Sequence, residues 1–358
     1  MKGVCLFGGH HRGYPRSSVI MSGLQRIGVP VTECTVSPRL KSPRRYPALI
    51  RAYRRLRGDF DVLFVPEFRH KDVPLAWALS RRTSKLLVFD PLVSRYDTRV
   101  HDRADADARG LQATHNLNLD RIALSLPDLA LADTAAHARY FRERLAAPDA
   151  RVRVLPVGYD DAVFRPLPMP AANDVVRVLF YGSYLPLHGV DVIVDAATRL
   201  RAERGIHFEL IGGGQTFDDV TRRLRDAAPG NISIEPRIDA AHLPARIARA
   251  SICLGIFGTT DKASRVVPNK VYQCAAMARP VITADTPAVR EFFEPARHIE
   301  VVRAGDGAAL AERILVLAGD ASRRAALGEA AAEHARLHYS PVPIAQRFVA
   351  MCEEAKRA

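Results

Sequence analysis

Residues 268–283 read PNKVYQCAAMARPVIT, and the fold follows from them. Pro268 opens a helix that runs through Met277, because proline is tolerated in a first helical turn, where its missing N–H had no partner. Beyond Arg279-Pro280, the β-branched Val281, Ile282 and Thr283 suit a strand covered on both faces. Lys270 and Gln273 stand three residues apart, so both project from one face of the first turns. A helix N-terminus beside a lysine is a site for an anionic ligand, a phosphate foremost. A plain βαβ crossover with a solvated lysine accounts for the same residues, and the rest of the chain must choose between them.

Outward from this stretch, short apolar runs alternate with helical patterns, the mark of parallel sheets covered by helices. Strands are expected at 4–7, 31–36, 62–65, 86–89, 129–132 and 152–155, and again at 175–181, 207–211, 232–234, 252–256, 281–283 and 299–302. Residues 156–173, PVGYDDAVFRPLPMPAAN, are proline-rich and aperiodic and read as a linker. The expected fold class is α/β, two Rossmann-like domains facing a central cleft, with ligands at the carboxyl ends of the strands. The boundaries are an N-terminal domain at 1–160, a linker at 161–174 and a C-terminal domain at 175–340. Residues 341–358 form a last helix, starting after Pro343 and packing back on the N-terminal domain.

The length of 358 residues is comfortable for two such domains, and 48% hydrophobic with 25% charged residues marks a globular protein. No apolar run approaches the roughly 20 residues needed to span a bilayer. The five cysteines show no paired spacing, which points to a reduced, cytoplasmic protein. Neither CxxC nor HExxH occurs, so no metal site is expected. Of the net charge of +13, residues 1–170 carry +11, with 28 Lys and Arg against 17 Asp and Glu. Such asymmetry points to a polyanionic partner of the first half. Its densest part is RLKSPRRYPALIRAYRRLR, residues 39–57, with eight basic residues and no acid. Leu49, Ile50, Tyr53 and Leu56 make one apolar stripe there. A basic amphipathic helix can lie on an anionic membrane, each basic residue contributing roughly 1 kcal/mol; equally, the stripe can pack on the sheet. Nucleic acid is not expected, since the run has little aromatic interleaving and no recognised motif.

Further residues stand at strand ends. Gly212–Gly214 let backbone N–H groups approach a phosphate, or simply form a tight turn. They lack the third glycine of a dinucleotide fingerprint, which argues against a nicotinamide cofactor. His188-Gly189 precedes a helix and can hydrogen-bond a diphosphate. In the first half, Gly8-Gly9 precede His10 and His11, one of which can polarise or deprotonate an acceptor hydroxyl. Asp90, after the fourth strand, can accept that proton or cap local backbone.

VLPVGYDDAVFRP (154–166), VLFYGSYLPLHGVDVIVDAA (178–197), FELIGGGQ (208–215) and QCAAMARPVIT (273–283), in this order, resemble the family-4 glycosyltransferases of the GT-B fold. The resemblance covers the second half and the domain order. It implies a retaining transfer of a sugar from a nucleoside diphosphate sugar, without a metal ion or cofactor. It also implies that the second domain holds the donor and the first the acceptor, a saccharide or a lipid-linked group. A role in surface polysaccharide or glycolipid synthesis at the inner face of the cell membrane fits that reading. Ser183 and His188 occupy places where the family carries an arginine and a lysine, while Arg265 and Gln273 replace its two glutamates. The expected donor contacts are Ser183, His188, Gly189, Gly213, Gly214, Arg265, Lys270 and Gln273, with Arg265 and Lys270 restoring the missing charge and Gln273 accepting from a ribose hydroxyl. Asp90 sits where members often place a histidine or acid near the reacting sugar, so Asp90, His10 and His11 are the catalytic candidates. The alternatives are a sugar-nucleotide epimerase or hydrolase of the same plan, or a non-catalytic nucleotide-sugar-binding homologue.

Overall fold

A computed structural model describes residues 1–9, 14–37, 39–40, 42–56, 58–104, 106–167 and 175–357. His10 and His11 lie outside the described residues, as does the end of the expected linker. The chain forms two compact units, the first built from Met1–Val100, Ala104–Gly158 and Ser340–Ala358, the second from His101–Arg103 and Tyr159–Tyr339.

The first unit runs β1 (Val4–Gly8), α1 (Pro15–Arg26), β2 (Val31–Thr35), α2 (Ser42–Arg54), β3 (Val62–Val65), α3 (Val73–Thr83), β4 (Leu86–Phe89), α4 (Leu111–Ser125), β5 (Leu129–Ala132), α5 (Ala135–Leu145) and β6 (Val152–Val154). Its sheet is parallel throughout, in the order β2-β1-β3-β4-β5-β6. Successive strand side chains point to opposite faces, so Cys5 and Phe7 of β1 join one buried cluster and Val4 and Leu6 the other. Both faces are covered, which is why β3, β4 and β5 are apolar at every position.

The second unit runs β7 (Val176–Ser183), α6 (Val190–Arg199), β8 (Ile206–Gly213), α7 (Phe217–Ala227), β9 (Ile232–Glu235), α8 (Leu243–Arg249), β10 (Ile252–Leu254), α9 (Asp261–Arg265), α10 (Asn269–Ala276), β11 (Val281–Ala284), α11 (Pro287–Phe292), β12 (Glu300–Val302), α12 (Gly307–Gly319) and α13 (Ala321–His338). Its order is β12-β11-β10-β7-β8-β9, again all parallel. In each sheet the order reverses once, between β1 and β3 in the first and between β7 and β10 in the second. Such reversals leave a crevice beyond the carboxyl ends of the two strands.

The last helix, α14 (Pro341–Arg357), belongs to the first unit. It starts three residues before the expected Ile344, because Pro341 and Pro343 sit in its first turn, where no intrahelical N–H is lost. Ile344, Phe348 and Cys352 join Val19, Ile20 and Leu24 of α1 in one buried cluster. Gly23 permits the close approach: a Cβ there would stand 1.9 Å from the Pro341 carbonyl oxygen. Helix α2 carries Pro47 inside it. Leu49 is buried and Tyr53 and Leu56 pack on the core, so these three of the stripe face inward with Ala52, while Ile50 is half-buried and Arg44, Arg51, Arg54 and Arg55 are exposed. The short α9 was not expected from periodicity; the Thr260 hydroxyl caps it by accepting from the Ala263 N–H at 3.2 Å.

Candidate functional site

The crevice at the β7/β10 reversal gathers most of the residues expected to bind a donor. Strand β7 ends on Gly182 and Ser183, pairing in parallel with Gly212 and Gly213 of β8. Lys270 lies in the first turn of α10, whose N-cap Pro268 offers no capping side chain. The first backbone N–H groups of such a helix have no intrahelical partner. The Lys270 ammonium comes so close to Gly182 that a Cβ there would stand 3.0 Å from Nζ and 3.6 Å from His188 Cε1. Glycine at 182, with φ +146°, therefore makes the space in which ammonium and imidazole converge.

Lys270 is 5% exposed, and its Nζ has no hydrogen-bond partner. Lys262, the other buried lysine of this unit, is by contrast paired with Asp102 at 3.5 Å. Beneath Lys270 lies the face of Phe180, with Nζ 3.9 Å from the ring centroid. A cation over an aromatic face gains about 2 kcal/mol when desolvated, less than the several kcal/mol that burying an unpaired charge costs. Burial accordingly pulls the ammonium down to about 7. An anion seated against Nζ removes that penalty.

His188 stands beside this lysine. Its Nδ1–H donates to the Ser183 carbonyl, and burial, then the Lys270 charge, lowers the imidazole to about 3. His188 is thus neutral rather than a second cation beside Lys270. Gly189, φ +60°, begins α6; a Cβ there would lie 2.5 Å from Gly258 N, so only glycine lets the β7 and β10 loops meet. Of the glycine run, Gly212 and Gly214 pack against the backbone of Gly182 and Tyr184, whereas a Cβ on Gly213 would meet only the Phe217 ring, at 3.8 Å. Arg265 ends α9, half-buried, and that helix packs beside the turn holding His188. Gln273 is 7% exposed, and its Oε1 accepts from the Tyr181 hydroxyl at 2.8 Å. The oxygen expected to receive a ribose hydroxyl therefore already serves a neighbour 92 positions away.

In the first unit Asp90 occupies a different place from the one expected of a base. It is 0% exposed, its Oδ2 accepts from Arg16 Nε at 2.6 Å and its Oδ1 from the Leu92 N–H at 3.1 Å. Arg16, itself 0% exposed, also donates to the Leu155 carbonyl at 2.7 Å. Burial opposes the charge on Arg16, but the Asp90 carboxylate outweighs it and raises the guanidinium. Burial pushes the Asp90 carboxyl up as well, against the pull of Arg16. Arginine keeps its proton, and a buried guanidinium needs a partner, which Asp90 supplies at 2.6 Å. Arg16 itself was not singled out in the sequence, though it stands in the first turn after a glycine-bearing strand end.

A cavity of about 680 Å³ lies elsewhere in the second unit, lined by residues of α11 and α13. Its His298 and His334 rings are stacked at 4.1 Å, and His334 Nε2 is bonded to the Phe292 carbonyl. Among the described residues, no group of three or more His, Cys, Asp or Glu is placed to hold a metal ion, and no helix is long and apolar enough to cross a membrane.

Residues 192–350 match the family described as glycosyl transferase-like. Among solved structures, the chain is similar to sucrose-phosphate synthase from Thermosynechococcus elongatus, at 16% identity and TM-score 0.74 over 99% of each chain. It is similar to Anabaena HepE in complex with UDP, at 14% identity and TM-score 0.72, over 98% of this chain and 100% of that one. A glycosyltransferase from Rickettsia africae follows at 11% identity and TM-score 0.68, over 98% and 97%. No curated protein sequence matches. Identities this low establish the fold, and that fold is GT-B.

Proposed function

We propose that the protein is a glycosyltransferase whose second unit holds a nucleoside diphosphate sugar, and that it transfers the sugar with retention to a saccharide or lipid-linked acceptor. The observation that carries this reading is the buried, unpartnered Lys270 ammonium at the sheet reversal. As the bond from the anomeric carbon to the β-phosphate oxygen breaks, negative charge collects on the departing diphosphate. A fixed cation in a water-poor site stabilises that charge more than bulk water does. Gly182 leaves the room, and the uncapped start of α10 adds N–H donors and a favourable dipole. The UDP complex of the HepE relative supports a nucleoside diphosphate as the ligand class.

Thermal stabilisation by UDP-, GDP-, dTDP- and CMP-sugars tests this directly, since a ligand that binds the native state raises its melting temperature. At least one is expected to do so; if none shifts the transition at millimolar concentration, the reading fails.

A second reading, a nucleotide-sugar-binding protein without catalysis, is favoured by Arg265 and Gln273 standing in place of two carboxylates. Slow hydrolysis of the stabilising nucleotide sugar separates the two, because a transferase site activates the anomeric carbon toward water and a binding site does not.

We place the first unit at an anionic membrane surface on the cytoplasmic side, through the outward basic face of α2. Cosedimentation with vesicles containing anionic lipid should be strong at low salt and weak at high salt. Equal recovery with neutral vesicles would remove the membrane from the proposal.

A further inference from the structure

The β1/β3 reversal of the first sheet gathers groups that the donor chemistry does not use. Glu67 follows β3 by two residues and is 3% exposed. Its Oε1 accepts from the Ser17 hydroxyl at 2.8 Å, while Oε2 has no hydrogen-bond partner. A buried carboxylate oxygen without a partner costs desolvation free energy that a ligand hydroxyl reaching it recovers. Burial, then the neighbouring Asp90 charge, pushes this carboxyl up to about 7, so the charged and neutral forms are both populated at neutral pH.

Phe68 comes next. Its φ of +63° is a left-handed conformation that a bulky side chain rarely adopts. The surroundings hold it there: its N–H donates to the Pro91 carbonyl at 3.4 Å, and Tyr14 meets its ring edge-on at 5.0 Å and 88°. The result is an aromatic residue left 37% exposed, next in the chain to the buried Glu67. Strain of this kind persists where the surroundings over-determine it, often at ligand clamps.

Charges of both signs stand nearby. Glu67, Asp90 and Asp133 all act electrostatically on Arg16, and Arg69 acts on Glu67. Asp133 is itself bonded to His137 Nδ1 at 2.6 Å. A neutral ring with an apolar C–H face and hydroxyls around its edge suits an aromatic surface beside a hydrogen-bond acceptor.

We propose that Glu67 and Phe68 form a subsite for a neutral pyranose ring of the acceptor, Phe68 covering the C–H face and Glu67 Oε2 accepting from a ring hydroxyl. This rests on the glycosyl-transfer reading, and it puts the sugar portion, not any phosphate, of the acceptor at the β1/β3 crevice.

Saturation-transfer NMR on the full chain tests it with four probes: the methyl glycosides of α-glucose, α-mannose, β-galactose and β-N-acetylglucosamine. At least one is expected to receive saturation, with the signal falling threefold or more in Glu67→Gln and in Phe68→Ala. Phe68→Gly relieves the positive φ, so it should melt no lower than the parent and still lose the glycoside; this separates loss of the ring from loss of the fold. Signals that persist in all three variants, or no glycoside signal from the parent, overturn the subsite. UDP binding is followed in parallel by calorimetry. Glycoside binding without UDP binding sustains the subsite and sinks the donor reading, whereas UDP binding without glycoside binding does the reverse.

Discussion

Lys270→Met is expected to abolish nucleoside diphosphate binding, at least a hundredfold in Kd by calorimetry, while making the free protein more stable. Both effects come from one fact, an ammonium buried without a counter-charge. Methionine keeps the chain length and the contact with Phe180 but carries no charge to desolvate. The pH dependence gives the sign. Burial lowers Lys270 from 10.5 to about 7 in the folded protein, so between these values the unfolded chain binds the extra proton. Stability from this group therefore rises with pH across that window. The variant should lose that slope, and its advantage should be largest at or below pH 7. Ligand binding runs the other way: the anion needs the charged amine, so the affinity of the parent should fall as pH rises above about 7. A parent whose affinity is unchanged between pH 6.5 and 8.5, or a variant that still binds, would remove Lys270 from the site.

Arg16→Met should give the largest loss of stability. It leaves the Asp90 carboxylate at 0% exposure without its cation and the Leu155 carbonyl without its donor. Breaking one side of a buried ion pair costs about 3–5 kcal/mol, which for a unit of this size lowers the melting transition by about 10 °C. The unpaired carboxyl would then take up a proton. Its folded-state value stands above its unfolded one, so the deficit should shrink as pH falls. Adding Asp90→Leu removes the stranded charge, and the double variant should recover much of the loss. If the two changes simply add, the pair is not coupled.

The layer order and the strand positions were legible in the chain. Each expected strand is present, because a strand covered on both faces must be apolar throughout, and runs such as Val62–Val65 and Leu86–Phe89 admit few other readings. Helix starts were less so: α2 and α14 both begin ahead of prolines that looked like boundaries, since proline is harmless in a first turn and α2 tolerates Pro47 within it. Lys270 was legible as a phosphate candidate from its place after Pro268 and before a helical run.

The partners of these groups were not legible. Asp90 reads in the chain as a free loop acid, yet Arg16, 74 positions earlier, closes it. Gln273 reads as an open amide, yet Tyr181 occupies its oxygen. Glu67 carries no signal in the chain, yet its Oε2 ends buried without a hydrogen-bond partner. The difference is physical. Periodicity and residue type record how a segment must be covered, which is a local property carried by hydrophobic burial. Whether a charge is paired depends on which strand ends the parallel crossovers bring side by side. The chain specified two sheets and a lysine at the head of a helix; the folded arrangement left that lysine without a hydrogen-bond partner, paired Asp90, and buried one oxygen of Glu67 unpartnered.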